Sequence, residues 1–552
     1  MHRSILGSFA LLLAPVAFAQ QPLISPRAVL NAASFMAAGL PSGAIPRGSI
    51  FTVFGRNLGP ASSPPLAFPL SNTLGGISIK VIQGATSVNA IPLFVSPGQI
   101  NAIMPSNAPL GMVSIQVTNG QVQGNLAPVR VINSSFGSFT FTGAGLGPVA
   151  LTNFIAQDNQ PFNSPKAPAK PNQVVTLYGT GLGPVTFADN VAPSAGNLPT
   201  NTEVFVGGKT ASLLYKGRSP CCAGLDQIVF TVPPDAPSGC FVPVTVRTEG
   251  AVSSNTTTMA ISPDGSACSE PNSALTKEIV NGGRFGAFLL SRFTVHEDVG
   301  TRTVGDVTTD YAVVNLRQET GGTFAFNPLF ALPPAGSCTA YTANGNLMGD
   351  DTMPLTATTG KYLDAGANYA GAGRVIMAPP NPLLMFWQIG KFIPNATNLS
   401  DSRVLTPGAS FTFSAPGGAD VGAFQGTIFS APLLTWTNRD QTTNVDRTQP
   451  LTINWTGGSP SLPVAIIGGN VDLPTNSTSL FFCLAPAGAT SFAVPPYILA
   501  NVPATRFKPL FSRGIIYVGP MPLAGATTFN ATGLDFGVAA ATNFSGKSVI
   551  FK

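Results

Sequence analysis

Ser49-Ile-Phe-Thr-Val-Phe-Gly55-Arg-Asn-Leu-Gly-Pro60 returns later in the chain as Gln173-Val-Val-Thr-Leu-Tyr-Gly179-Thr-Gly-Leu-Gly-Pro184. In each copy a run of strand formers leads into a glycine-rich bend, the signature of a β-strand closed by a turn. Gly55 and Gly179 lie 124 residues apart. A second match follows, in which Gln99-Ile100, Pro105, Ala108-Pro109 and Gly111 correspond to Gln227-Ile228, Pro233, Ala236-Pro237 and Gly239, now 128 residues apart. The longer spacing marks an insertion: Ser96-Pro97-Gly98-Gln99 becomes Ser219-Pro220-Cys221-Cys222-Ala223-Gly224-Leu225-Asp226-Gln227. One unit is therefore used twice, over about residues 27–135 and 138–262.

Each copy reads as short strands. Ile77, Ile79 and Val81 alternate with Ser78 and Lys80, and Val242, Val244 and Val246 alternate with Pro243 and Thr245. That period of two fits a sheet with one buried face. Composition agrees: of 552 residues 59 are Gly and 51 Pro, only 9% are charged, and 44% are hydrophobic with a mean hydropathy of +0.27. So much Gly and Pro disfavours long helices, and so few charges exclude charge-driven disorder and coiled coils. The class expected is all-β, with several immunoglobulin-like β-sandwich domains in tandem. At roughly 150 residues per domain the length allows three or four.

Asn31-Ala-Ala-Ser-Phe35, Phe54-Gly55 followed by Asn57-Leu-Gly-Pro60, Leu74-Gly-Gly-Ile77, Val95-Ser-Pro-Gly-Gln-Ile-Asn101 and Tyr178-Gly-Thr-Gly-Leu-Gly-Pro-Val185 together resemble a family of secreted acidobacterial proteins that carry a tandem module similar to IPT/TIG immunoglobulin-like domains. The resemblance covers residues 27–262 and implies two such modules. It brings no catalytic residues with it. The expected division is a signal peptide at 1–19, modules at 20–136 and 137–264, a linker at 265–279, and further β-sandwich domains at 280–430 and 431–552. In the last two, Leu451, Ile453 and Trp455 alternate with Thr452, Asn454 and Thr456, and turns such as Pro407-Gly408 and Pro416-Gly417 separate the runs.

The N-terminus carries Arg3, an apolar centre too short to span a membrane, and Ala17-Phe18-Ala19 before Gln20, which predicts export with cleavage after Ala19. No later apolar run approaches the roughly 20 residues of a membrane helix, so no membrane span is expected. The net charge of +5 is spread without a basic face, so no nucleic-acid partner is expected. The six cysteines of an exported chain favour disulfides. Strand ends brought together by the hairpin after Gly239 predict Cys240 paired with Cys268, and a vicinal Cys221–Cys222 bridge is expected to stiffen the inserted loop. Cys338 and Cys483 are left either to join each other across the C-terminal domains or to stay free and buried.

No catalytic or cofactor-binding residue is singled out, and no cofactor is implied. Gly143-Ala-Gly-Leu-Gly147 and Gly179-Thr-Gly-Leu-Gly183 lack the helix that a dinucleotide loop requires and read as turns. His296-Glu297-Asp298 and Asn344-Gly-Asn346 with Asp350-Asp351 are oxygen-rich; their spacing is not that of an EF-hand, and Glu297, Asp298, Asp350 and Asp351 are calcium candidates second to a plain surface reading. Trp387, Trp436 and Trp455 are weighed as a sugar-stacking platform, with Trp455 on the apolar phase of its strand. Two function classes follow. One is a non-enzymatic exported multi-domain protein that binds a surface polymer or protein, or acts as a spacer. The other is an extracellular polysaccharide hydrolase or lyase with accessory sandwiches.

Overall fold

The computed structural model describes residues 21–270, 275–299, 302–328, 330–344, 360–366, 369–371, 374–376, 385–388, 391–394, 396–398, 405–472, 477–506, 514–521 and 526–552. The signal peptide expected at 1–19 lies outside them. The chain is all-β, with several β-sandwich bodies in tandem.

The first module packs two layers. Its front layer runs Leu23–Asn31, Ile50–Arg56, Gln99–Ile103 and the second half of Thr86–Val95. The first half of Thr86–Val95 pairs with Ile77–Gln83, so this strand crosses the corner into a back layer completed by Gly111–Asn119 and Val122–Ile132. The alternating residues of each strand explain the packing: Phe51, Val53, Ile77, Ile79, Val81, Ile100, Ile115 and Val117 are 0% exposed and form one core. Burying each such side chain contributes about 1.5–3 kcal/mol.

The second module repeats the plan with two separate sheets. The front sheet orders Gly137–Ser138 and Leu151–Asn153 on one edge, then Val174–Thr180, Asp226–Thr231 and Ser212–Arg218. The back sheet is built on Thr202–Val206, Gly239–Thr248 and Thr257–Ile261. Val175, Leu177, Ile228 and Phe230 from the front meet Val204, Val242, Val244 and Val246 from the back.

From residue 284 onward the architecture departs from the expected pair of domains. Arg284–Val299 pairs in parallel with Phe536–Phe551 and antiparallel with Arg302–Glu319. The sheet continues through Gly514–Pro520, Val464–Asp472, Ser477–Ala485 and Ser337–Asn344. Strands from both sides of residue 430 thus share one sheet, and Ser430 itself bridges to Ala541. The division at 430/431 falls inside a single body. Along this sheet lie a core around Trp436, Trp455 and Phe481, a second around Phe288, Phe413 and Phe529, and a third around Phe293, Tyr517 and Phe544.

The linker also differs from expectation, because its first half is held down. Cys268 bonds to Cys240 and its amide donates to the Pro165 carbonyl at 3.0 Å, while Glu270 is 9% exposed. The helix Thr276–Asn281 follows and ends at Gly282, whose φ of 75° is the left-handed cap that glycine supplies.

Candidate binding face of the second module

The core-facing residues of the front sheet fix what faces outward. Since Val175, Leu177, Ile228, Phe230 and Leu151 point into the core, Val174, Thr176, Tyr178, Gln227, Val229, Thr231 and Thr152 occupy the opposite face. The ladder registers join them into rows. Tyr215 lies opposite Val229, Val229 opposite Thr176, Thr176 opposite Thr152, and Thr152 opposite Phe162. Beside this row Gln227 faces Tyr178, and on the other side Thr231 faces Val174, whose carbonyl accepts the Phe154 amide at 2.9 Å.

A bulge between Leu213 and Tyr215 brings Leu214 and Tyr215 to this surface. Leu214 is 57% exposed, Phe162 49% and Phe154 43%. The remaining members, apart from buried Thr152, are half-buried. None of the outward positions in these rows carries a charge. Lys216 is turned away, its ammonium held by the Thr200 carbonyl. Tyr215 is fixed by its hydroxyl, which donates to the Arg218 carbonyl at 2.8 Å and accepts the Gly196 amide at 3.2 Å. At one end Phe162 meets Phe141 edge-on at 5.1 Å, and Phe141 stacks on Phe324 of the C-terminal body at 3.6 Å. From Tyr215 to Phe162 the row crosses four strand spacings, roughly 19 Å.

The same positions in the first module read Phe94, Asn101, Thr52 and Leu30, with Phe54 opposite Gln99. Its bulge, between Pro92 and Phe94, is equivalent. There the amides are spent on one another: Asn101 Oδ1 accepts from Thr52 Oγ1 and from Gln99 Nε2, each at 2.9 Å. Sequence reasoning matched the two strands and overlooked their outward faces. The signal was present as Thr52-x-Phe54 against Thr176-x-Tyr178, and as Leu93-Phe94 against Leu214-Tyr215.

The residues singled out from sequence lie elsewhere. Cys221–Cys222, Cys240–Cys268 and Cys338–Cys483 are bridged. The last pair sits directly opposite in the ladder between Ser337–Asn344 and Ser477–Ala485, within one sheet. Glu297 and Asp298 have a described backbone, opposite Gly305 and Thr303 near the tip of the long hairpin, but their side chains lie outside the described part. Asp350 and Asp351 lie outside the described residues altogether. No group of three or more His, Cys, Asp or Glu side chains suited to a metal occurs among the described residues. His296 Nδ1 is 2.9 Å from Asp306 Oδ1, and Arg439 lies 3.3 Å from the same carboxylate. Trp455 and Trp436 face each other across two strands in the core at 3% and 4% exposure. The side chain of Trp387 is outside the described part. Neither glycine-rich turn opens a helix; Gly147 and Gly183 lie at φ of 83° and 133°, in turn conformations.

The two modules and the C-terminal body are joined by built contacts. Arg218 pairs with Asp226 in the buried interior and donates to the Gly48 carbonyl of the first module and the Gly183 carbonyl of the second, each at 2.8 Å. Asp226 accepts the amides of Gly181 and Leu182 at 2.7 and 2.8 Å. Burial pushes the Asp226 carboxyl up, against the pull of Arg218 and these amides. Asp189 holds Ser106 of the first module through both carboxylate oxygens at 2.7 Å. At the far end the contacts are aromatic, Phe205 stacking on Tyr497 at 4.2 Å and Phe241 meeting Phe326 at 5.7 Å.

No family model and no curated protein matches this chain. Among solved structures it is similar to a plexin A4 extracellular region (16% identity, 45% of this chain and 19% of that one, TM-score 0.17). It is also similar to SGBP-B of a Bacteroides ovatus mixed-linkage glucan utilization locus (16% identity, 40% and 44%, TM-score 0.19). A tetra-tandem repeat from the extending region of a large adhesion protein matches at 9% identity over 91% and 95%, with a TM-score of 0.13. The chain thus spans less than half the length of the first two. Likenesses of this size carry no argument about function. Among the described residues no helix is long and apolar enough to cross a membrane.

Proposed function

We propose that this is a non-enzymatic exported protein whose stacked sandwiches present the front face of the second module to a neutral polysaccharide. The observation that carries the reading is the row Tyr215, Val229, Thr176, Thr152 and Phe162 with its neighbours Phe154, Tyr178, Leu214 and Gln227: partly exposed, aromatic at both ends and free of charge. Patches of exposed apolar side chains rimmed by polar groups mark interaction surfaces. Aromatic rings offer flat apolar area to the C–H faces of sugars, while Gln227, Thr231 and the Tyr178 hydroxyl supply hydrogen-bonding groups. A neutral chain suits a face without ions, whereas an acidic polymer or a phosphate backbone would leave its charges unpaired there.

The export reading at 1–19 and the three disulfides support an extracellular setting, and the IPT/TIG-like resemblance is part of the same proposal. Affinity electrophoresis of the mature chain against neutral and acidic polysaccharides tests it. Retardation by a neutral glucan, mannan or xylan is expected, insensitive to salt and lost in Phe162→Ala/Tyr215→Ala. Binding restricted to acidic polymers, or binding untouched by that double variant, would overturn it. Release of reducing ends by the same preparation would favour the hydrolase alternative.

A further inference from the structure

The residues inserted into the second module form a small loop, 219–225, that carries the vicinal bridge Cys221–Cys222. Both cysteines are exposed, whereas Cys240, Cys338 and Cys483 are 5%, 3% and 0% exposed. The next two residues grip the first module. Ala223 is buried in a cluster with Leu70, Ile91 and Ile103, and a Cβ on Gly224 would stand 2.8 Å from the Ile50 side chain. The Gly224 carbonyl accepts the Thr180 hydroxyl at 2.7 Å, and the same oxygen of Thr180 accepts the Ile50 amide at 2.8 Å. The loop is closed on itself, with the Ser219 amide donating to Leu225 at 2.9 Å and the Leu225 amide to Cys222 at 3.2 Å. A bridge between neighbouring residues makes a tight ring through their shared peptide bond, so it restricts the backbone immediately before Ala223.

We propose that Cys221–Cys222 is a site of thiol–disulfide exchange that sets how firmly the first module is held to the second. The co-reactant is a small dithiol. One of its thiolates attacks a sulfur of the bridge, breaking the S–S bond and forming a mixed disulfide. Its second thiol then displaces the cysteine, leaving Cys221 and Cys222 as thiols and the reagent as a cyclic disulfide, with two electrons and two protons passed to the protein. Opening the ring restores torsional freedom to the loop, and the seat of Ala223 and Gly224 on Ile50 and Ile103 loosens. Because the bridge joins adjacent residues, it removes almost no entropy from the unfolded chain. Global stability is therefore insensitive to it, while local order at the junction is not.

The full chain is titrated with dithiothreitol under native conditions, released thiols are alkylated and mapped, and amide hydrogen exchange is followed. Cys221 and Cys222 are expected to be alkylated together before the other four cysteines. Exchange should accelerate roughly tenfold or more at 222–225 and at the facing residues 100–104, with Tm unchanged. Cys221→Ser/Cys222→Ser should show the faster exchange without reductant. Earlier opening of either other bridge, or reduction of Cys221–Cys222 with exchange at 100–104 unaltered, would overturn the proposal.

Discussion

The amides of Leu58 and Leu182 occupy equivalent turns of the two modules, yet they meet different acceptors. In the first module the Leu58 amide donates to the Pro97 carbonyl at 3.0 Å. In the second the Leu182 amide donates to the Asp226 carboxylate at 2.8 Å, at the position where the first module has Gly98. A backbone carbonyl closes a turn and does nothing more. A buried carboxylate demands a counter-charge, and Arg218, which supplies it, has hydrogen bonds left over for Gly48 across the module boundary. The copies diverge again one strand later. Met112 of the first module is 61% exposed, while its counterpart Cys240 is 5% exposed beneath the linker. The positions the two copies share build the fold; the positions where they differ build the joints.

Breaking the Arg218–Asp226 joint should cost most. Arg218→Met leaves a buried carboxylate without its partner and is expected to destabilise the second module by about 3–5 kcal/mol in urea unfolding. Adding Asp226→Asn should recover part of that loss, and full stability of the single variant would remove the joint from this account.

Removing the Cys240–Cys268 bridge, which closes a separation of 28 residues, should cost about 3–4 kcal/mol in the chain-entropy model. The Cys240→Ala/Cys268→Ala variant should also become cleavable between 262 and 270 by a limiting protease.

Glu270 beside that bridge sharpens the contrast through pH. Its carboxylate accepts the amides of Cys240 and Phe241, but burial raises its pKa from 4.5 to about 7. The folded state therefore holds the proton more tightly than the unfolded chain does. This contribution is fully present below about pH 4.5 and is lost as pH rises through about 7, a change on the order of 3 kcal/mol. Glu270→Gln should flatten the stability profile over that window, and an unaltered slope would point to other groups.

The smallest effect tests the faces themselves. Asn101→Val gives the first module the residue found at Val229 and strands the Thr52 hydroxyl, which is 1% exposed. A cost of about 1–2 kcal/mol is expected, read from the same urea curves.

The tandem was legible because its signal is local and occurs twice. Ile77, Ile79 and Val81 alternate, the turns fall at matching places, and the insertion around Cys221 shows in the spacing. The single C-terminal body was not legible, for an identifiable reason. Phe536–Phe551 is buried along almost its whole length on both faces, so Val538, Ala539, Ala540 and Ala541 show no period of two. Its partner Arg284–Val299 lies some 250 residues earlier, and periodicity names a strand without naming its neighbour. The uncharged face proposed to bind escaped for the opposite reason. Thr176, Tyr178 and Gln227 look like ordinary outward residues until the ladder sets them in a row with Phe162.

The parallel pairing of Phe285 through His296 with Phe536 through Lys547 has a kinetic meaning. The tandem modules assemble from contacts within about 130 residues, whereas the large sheet waits for the two ends of a segment twice that long to meet. Closing so long a loop adds only modestly to its entropic cost, but non-local pairing slows folding steeply. During that delay the long hairpin Arg284–Glu319 exposes one edge of unsatisfied backbone, including the apolar run Phe285 to Leu290, to any passing strand. The molecule therefore carries its aggregation hazard in the half that folds last, and a chain unfolded and returned to native conditions should regain its tandem modules while its C-terminal body is still open.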